Sequence, residues 1–159
     1  MTDTVFYVTK NLQSGAFEGV ASYLRISPEA GSIEVGNINY SPALQCTPAA
    51  TEAMCLMMQW AFEAGYRRYE WKCNALNKPS YRAGQRLGFS FEGVFWQAAI
   101  VKGRKRDTAW FAAIDSEWPA LKEAFKAWLN ASNFDVAGQQ NEHLSDLTGL
   151  VRQSADPTL

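Results

Sequence analysis

Between an apolar strand-like run and a helix-like run stand Gln45, Cys46, Thr47, Pro48, Ala49, Ala50 and Thr51, residues whose types and order suit the binding of an anion. Thr47 is a good helix N-cap. Pro48 fits the first helical position, where its missing N–H is not needed, and Glu52 is expected in the first turn, where an acidic residue is favoured. A helix that starts directly after a strand aims unpaired N–H groups, and the positive end of its dipole, at the strand's end. Because the residues past the cap are small, a phosphate group can approach the backbone closely. The same pattern also serves as a plain strand–turn–helix connection, and spacing alone leaves both readings open. Metal chemistry has no comparable signal. Cys46, Cys55 and Cys73 are odd in number and lack zinc spacing, and the single His143 lies far away, so three reduced thiols and no metal site are expected.

The elements that must position this loop follow from patterning. Ile33, Val35, Ile38 and Tyr40 suit a pleated, buried strand, which Ser41-Pro42 ends because proline cannot donate to a ladder. Ala50, Met54, Met57, Met58, Ala61 and Phe62 recur at helical spacing as one apolar stripe, and Gly65 is placed to close the helix. Upstream, residues 4–9 and 17–26 read as an antiparallel hairpin turning at 11–15. Downstream, residues 67–73 form a strand, so strand, helix and strand imply a right-handed parallel crossover. A short helix runs over 79–86, with Asn77 near its cap and Gly88 at its close. Residues 89–101 and 108–114 read as a second antiparallel hairpin, and its basic tip, residues 102–107, reads as solvated surface. Trp118, Leu121, Phe125, Trp128 and Leu129 give a last helix with an apolar face suited to docking. The expected architecture is a mixed α/β domain over residues 1–129 with a central sheet of about six strands flanked by helices. Residues 130–159 read as a polar tail, partly helical or disordered, in which His143, Leu144, Leu147 and Leu150 form a weak amphipathic turn before a frayed end.

The chain has 159 residues, 47% of them apolar and 13% aromatic, with a formal net charge of −1. A domain of that size buries enough surface to fold without disulfides or metals. Near-neutral charge gives no bias toward nucleic acid. No apolar run is long enough to span a bilayer, and the opening residues carry no positively charged leader, so a cytoplasmic protein without a membrane partner is expected.

Residues 45–53 resemble the pyrophosphate loop of the GCN5-related N-acetyltransferases (GNAT), whose pattern is Gln or Arg, two residues, Gly, one residue, then Gly or Ala. Gln45 and Ala50 match, while Pro48 departs and removes one backbone donor. Asn77-Lys78-Pro79-Ser80 followed by Leu87-Gly88-Phe89 is similar to the Asn-x-x-Ser and Leu-Gly-Phe elements of the RimJ/RimL-like branch. The resemblance covers about residues 20–118. It implies an acetyl-coenzyme A site between two splayed parallel strands and acetyl transfer to a primary amine, on a protein N-terminus or a small molecule. The alternative within the same fold is a non-catalytic acyl-coenzyme A-binding module.

By the same resemblance, the backbone at Ile38, Asn39 and Tyr40 holds the pantetheine arm and polarises the thioester. Gln45, Cys46, Thr47, Pro48, Ala49, Ala50 and Thr51 hold the pyrophosphate, Asn77 bonds the pantetheine, and Ser80 assists the departing thiolate. The glutamate that RimL-like enzymes can carry as a base aligns with Ala99, which has no proton-accepting group. Glu34 and Glu70 are then the carboxylates whose burial in a cleft would suit a general base, with Glu92 a more distant third. The resemblance implies that the family's usual opening strand and helices are missing ahead of the first hairpin, so a homodimer covering the bare edge is expected, with a monomer whose tail, residues 130–159, folds back over that edge as the second reading. Val5, Tyr7, Phe17, Tyr23, Trp118, Phe125 and Trp128 are its expected contributors.

Overall fold

Short β-branched and aromatic runs punctuated by glycine and proline fold, in the computed structural model, as six strands and four helices among the described residues, 4–156. The opening Met1-Thr2-Asp3, read above as carrying no leader, and residues 157–159 at the end of the tail lie outside that range. The elements are β1 (Val5–Lys10), β2 (Phe17–Ser27), β3 (Ser32–Tyr40), α1 (Pro48–Glu63), β4 (Arg68–Asn74), α2 (Lys78–Arg86), β5 (Ser90–Val101), β6 (Arg104–Ile114), α3 (Trp118–Leu129) and α4 (Leu144–Gly149), with a 3-10 turn at Ala131–Asn133 before α4. Their sheet order is β1-β2-β3-β4-β6-β5. Among the described residues no helix is long and apolar enough to cross a membrane. The chain divides into two compact units, Met1–Tyr69 and Glu70–Leu159, and the division falls within β4.

In the first unit α1 covers the β2–β3 ladder. Its buried face is Thr51, Met54, Cys55, Met58 and Ala61, so the expected stripe is rotated: Thr51 and Cys55 replace Ala50, Met57 and Phe62 at its centre. Glu52 falls just past the first turn, which carries no acidic residue. Gly65, at φ +93°, closes the helix, with Tyr66 N–H reaching back to Ala61 O and Gly65 N–H to Phe62 O; this left-handed cap satisfies the last carbonyls. Tyr23 belongs to this core and not to an exposed interface: its hydroxyl donates to Met57 O at 2.6 Å and its ring stacks on Trp60 at 5.0 Å. Val5, Tyr7 and Phe17 do remain exposed.

In the second unit the Leu87-Gly88-Phe89 turn repeats the same cap, with Phe89 N–H on Gly84 O and Gly88 at φ +94°. Trp118, Phe125 and Trp128, expected on a docking face, are buried here. What covers them includes the supposed tail. Leu144 and Thr148 are buried, Trp128 Nε1 donates to Gln140 Oε1, and Thr148 Oγ1 donates to Arg86 O. Farther on, Arg152 donates to Gln85 O, Phe91 N–H to Ser154 O, and the Ser154 hydroxyl to Phe91 O. A polar composition concealed this docking because much of the anchoring is by polar side chains and bonds to backbone carbonyls, with Leu144 the buried leucine. The second hairpin also differs from expectation. Its turn is only Lys102-Gly103, both at positive φ as a tight two-residue connection requires, and residues 104–107 are strand.

Candidate active site

β3 reaches the loop through a distortion. The β2–β3 register slips between the pairs Val20–Asn39 and Ser22–Gly36, and Asn37, at φ +51°, is the extra residue. A bulge of this kind takes a residue out of the ladder and re-aims the strand. It is held from below by the fully buried Ser22, whose hydroxyl donates to Gly36 O at 3.1 Å and accepts from Asn37 Nδ2 at 2.9 Å. Ile38, Asn39 and Tyr40 follow immediately, with Asn39 exposed and the other two half-buried. Burial pushes the Tyr40 hydroxyl up to about 12.

Leu44, fully buried, pins the loop, and the amides of Leu44 and Gln45 both return to Ser41 O at 3.0 Å. The Gln45 side chain donates to Tyr40 O at 2.7 Å, so its carboxamide latches the strand's end to the loop. Cys46 takes the left-handed conformation at φ +60°, with its thiol exposed. Thr47 caps α1 as expected: its hydroxyl accepts from Ala50 N–H at 3.2 Å and donates to Leu44 O at 2.7 Å. Thr51 N–H bonds Thr47 O and Pro48 has no N–H, so the loop's own hydrogen bonds leave the amides of Cys46 and Ala49 for a ligand. Both amides lie at the N-terminal, positive end of a 16-residue helix.

The second group of predicted residues lies in the other unit. Asn77 caps α2, its Oδ1 accepting from Ser80 N–H at 3.2 Å. The Ser80 hydroxyl oxygen accepts from Trp71 Nε1 at 3.1 Å. Beside it, burial pushes the Cys73 thiol up, against the Ser80 hydrogen bond and the Arg106 charge, which both favour the thiolate. Trp71, Cys73 and Arg106 were not read from the sequence as neighbours of Ser80. Trp71 and Cys73 share one face of β4 by strand alternation, a signal that needed the facing helix to be known.

The carboxylates are engaged. Glu34 is buried and accepts two hydrogen bonds from Arg25 Nη1, at 2.7 and 2.8 Å. Glu70 pairs with Lys72 at 2.7 Å, and the same ammonium lies 3.7 Å from the centre of the Trp110 ring. Glu92 and Ala99 are exposed on β5.

A bulged strand, a small-residue loop and a capped helix start with two amides outside the loop's own hydrogen bonds make an arrangement of a kind that suits an anion. The model of the acetyltransferase (GNAT) domain family matches residues 2–90, more than half of the chain. The chain belongs to the GNAT family. A GCN5-related N-acetyltransferase from Brucella melitensis is 51% identical with a TM-score of 0.90; the match covers 92% of this chain and 67% of that one. A GNAT-family protein from Chromobacterium violaceum ATCC 12472 is 46% identical with a TM-score of 0.72, over 74% of this chain and 60% of that one. The chain thus spans about two thirds of the length of these GNAT relatives. Spermidine N-acetyltransferase of Vibrio cholerae, 18% identical with a TM-score of 0.64 over 72% of this chain and 68% of that one, shares the fold. No curated protein matches. GNAT acetyltransferases use acetyl-coenzyme A as acyl donor, and the donor set at Cys46 and Ala49 fits its pyrophosphate.

Proposed function

We propose that this chain is a cytoplasmic N-acetyltransferase of the RimJ/RimL-like branch, which moves the acetyl group of acetyl-coenzyme A to a primary amine of a protein N-terminus or a small molecule. The observation that carries the reading is the capped start of α1, where the Cys46 and Ala49 amides stand unused behind a bulged strand. In this reading those amides hold the pyrophosphate, the backbone of Ile38, Asn39 and Tyr40 follows the pantetheine, and Ser80 serves the sulfur. Acetyl transfer needs a neutral amine, a polarised carbonyl and support for the thiolate. With Glu34 and Glu70 each bound to a cation, the amine is deprotonated by solvent before it attacks.

Isothermal titration with coenzyme A, followed by acetylation assays on a panel of amines, tests the reading. Heat of binding and a product on at least one amine are expected; absence of binding at millimolar cofactor would sink it. The engaged carboxylates favour a second reading, an acyl-coenzyme A-binding module without turnover. Tight binding with no acetylation of any amine would select that module.

A further inference from the structure

The serine that the acetyl-transfer reading places at the sulfur does not stand alone. We infer that Trp71 is a positioning residue, which orients and polarises the Ser80 hydroxyl so that its proton is offered to the departing coenzyme A sulfur. The inference rests on the acetyl-coenzyme A reading above and goes beyond it.

The geometry is specific. An indole N–H only donates, so the 3.1 Å contact from Trp71 Nε1 occupies a lone pair of Ser80 Oγ and leaves the hydroxyl's one proton to point elsewhere. Accepting one hydrogen bond makes that hydroxyl a better donor, because linked hydrogen bonds polarise each other. The Ser80 amide is fixed by Asn77, so backbone and hydroxyl are held from two sides.

The ring itself has little freedom. A methyl group at Gly84 on α2 would stand 3.3 Å from the indole Cδ1 and Nε1, and the Phe89 ring lies 5.6 Å from the indole centre. Glycine at position 84 therefore brings the helix backbone against the indole. Cys73 also neighbours the Ser80 hydroxyl, buried and held as a neutral thiol. A neutral thiol is a weak acceptor, so it does not hold the serine proton against a stronger claimant.

In the transfer, the amine nitrogen bonds to the acetyl carbon and the carbon–sulfur bond breaks, leaving its electron pair on sulfur. The proton lost by the amine nitrogen ends on sulfur through solvent. Ser80 keeps its own proton and donates a hydrogen bond, since a thiolate is a far weaker base than a serine alkoxide.

The test follows the indole proton directly. Trp71→Phe keeps an aromatic ring and deletes the donor; its missing resonance identifies Trp71 among the six tryptophans in a nitrogen-15 NMR spectrum. Titrating coenzyme A should move the Trp71 indole resonance in the wild-type chain and leave it unmoved in Ser80→Ala. Trp71→Phe should lower kcat about fivefold to tenfold, the rate equivalent of one hydrogen bond, with KM for acetyl-coenzyme A unchanged. It should cost nothing further in the Ser80→Ala background. Calorimetric binding of coenzyme A with an unmoved indole resonance would overturn the inference while leaving the cofactor reading intact, as would independent losses that multiply in the double variant. No heat of binding would overturn the cofactor reading and the inference together. If Trp71→Phe does not fold, sequential assignment of the wild-type spectrum identifies the Trp71 resonance, and the wild-type and Ser80→Ala titrations still decide.

Discussion

Gly19 faces Tyr40 in the β2–β3 ladder, and a methyl group there would lie 2.5 Å from Tyr40 Cδ1 and 2.8 Å from Leu44 Cδ2. Both neighbours set the start of the proposed pyrophosphate loop, so crowding at this glycine is transmitted to the ligand. Gly19→Ala is expected to destabilise the chain by roughly 1–3 kcal/mol through overpacking and to weaken coenzyme A binding; thermal melts and calorimetry read the two effects. Glu34 makes the opposite case. Its burial would suit a general base if it stood alone, but the two bonds from Arg25 give it a structural role. Glu34→Gln should lose about 1–3 kcal/mol of stability, because a charged hydrogen-bonded pair is broken. The pH dependence of kcat/KM should stay where it was, and a displaced acidic limb would return Glu34 to catalysis.

The elements show what a sequence reveals and what it hides. Thr47-Pro48 announced the start of α1, and Asn77, Gly65 and Gly88 marked helix ends, because caps and turns are local chemistry. The bulge at Asn37 left no such signal: it depends on the buried Ser22 hydroxyl fifteen residues away in the chain. Likewise, the order Ser80, Trp71, Cys73 around one hydroxyl is set by β4 and α2 packing, not by spacing. The stretch 144–156 was the least legible. Its anchoring side chain is Leu144, and Leu144→Ala should cost roughly 2–5 kcal/mol, the range for a fully buried leucine. A melt unchanged by that substitution would mean that α4 is merely laid on the surface.

At the scale of the molecule, buried phenols make stability fall on the alkaline side. Tyr40 titrates at about 12 when folded, against an ordinary value of 10, and burial also raises Tyr23, Tyr69 and Tyr81. Below pH 10 their full contribution is present. As pH rises from 10 toward 12 the unfolded chain ionises first, so stability is lost across that window. The melting temperature should drop there, and Tyr40→Phe should reduce the slope; a flat profile would contradict the burial. β1, the outermost strand, exposes Val5, Phe6, Tyr7 and Val8. Such an edge is a template for pairing, and self-association through it is expected. Light scattering at micromolar concentration should give more than the monomer mass, returning toward monomer in Val8→Lys; a monomeric wild type would refute this.

The docking of residues 144–156 also sets a timetable. Thr148 bonds a carbonyl 62 residues earlier, and Gln153 N–H bonds a hydroxyl 63 residues earlier. Contacts that span so much chain form late, because a long loop must close first. During synthesis the residues of the first unit, up to Tyr69, emerge before the residues at 148–154 that close the second are added. A ribosome stalled shortly before position 144 would therefore display a nascent chain whose leading half resists protease and whose trailing half does not.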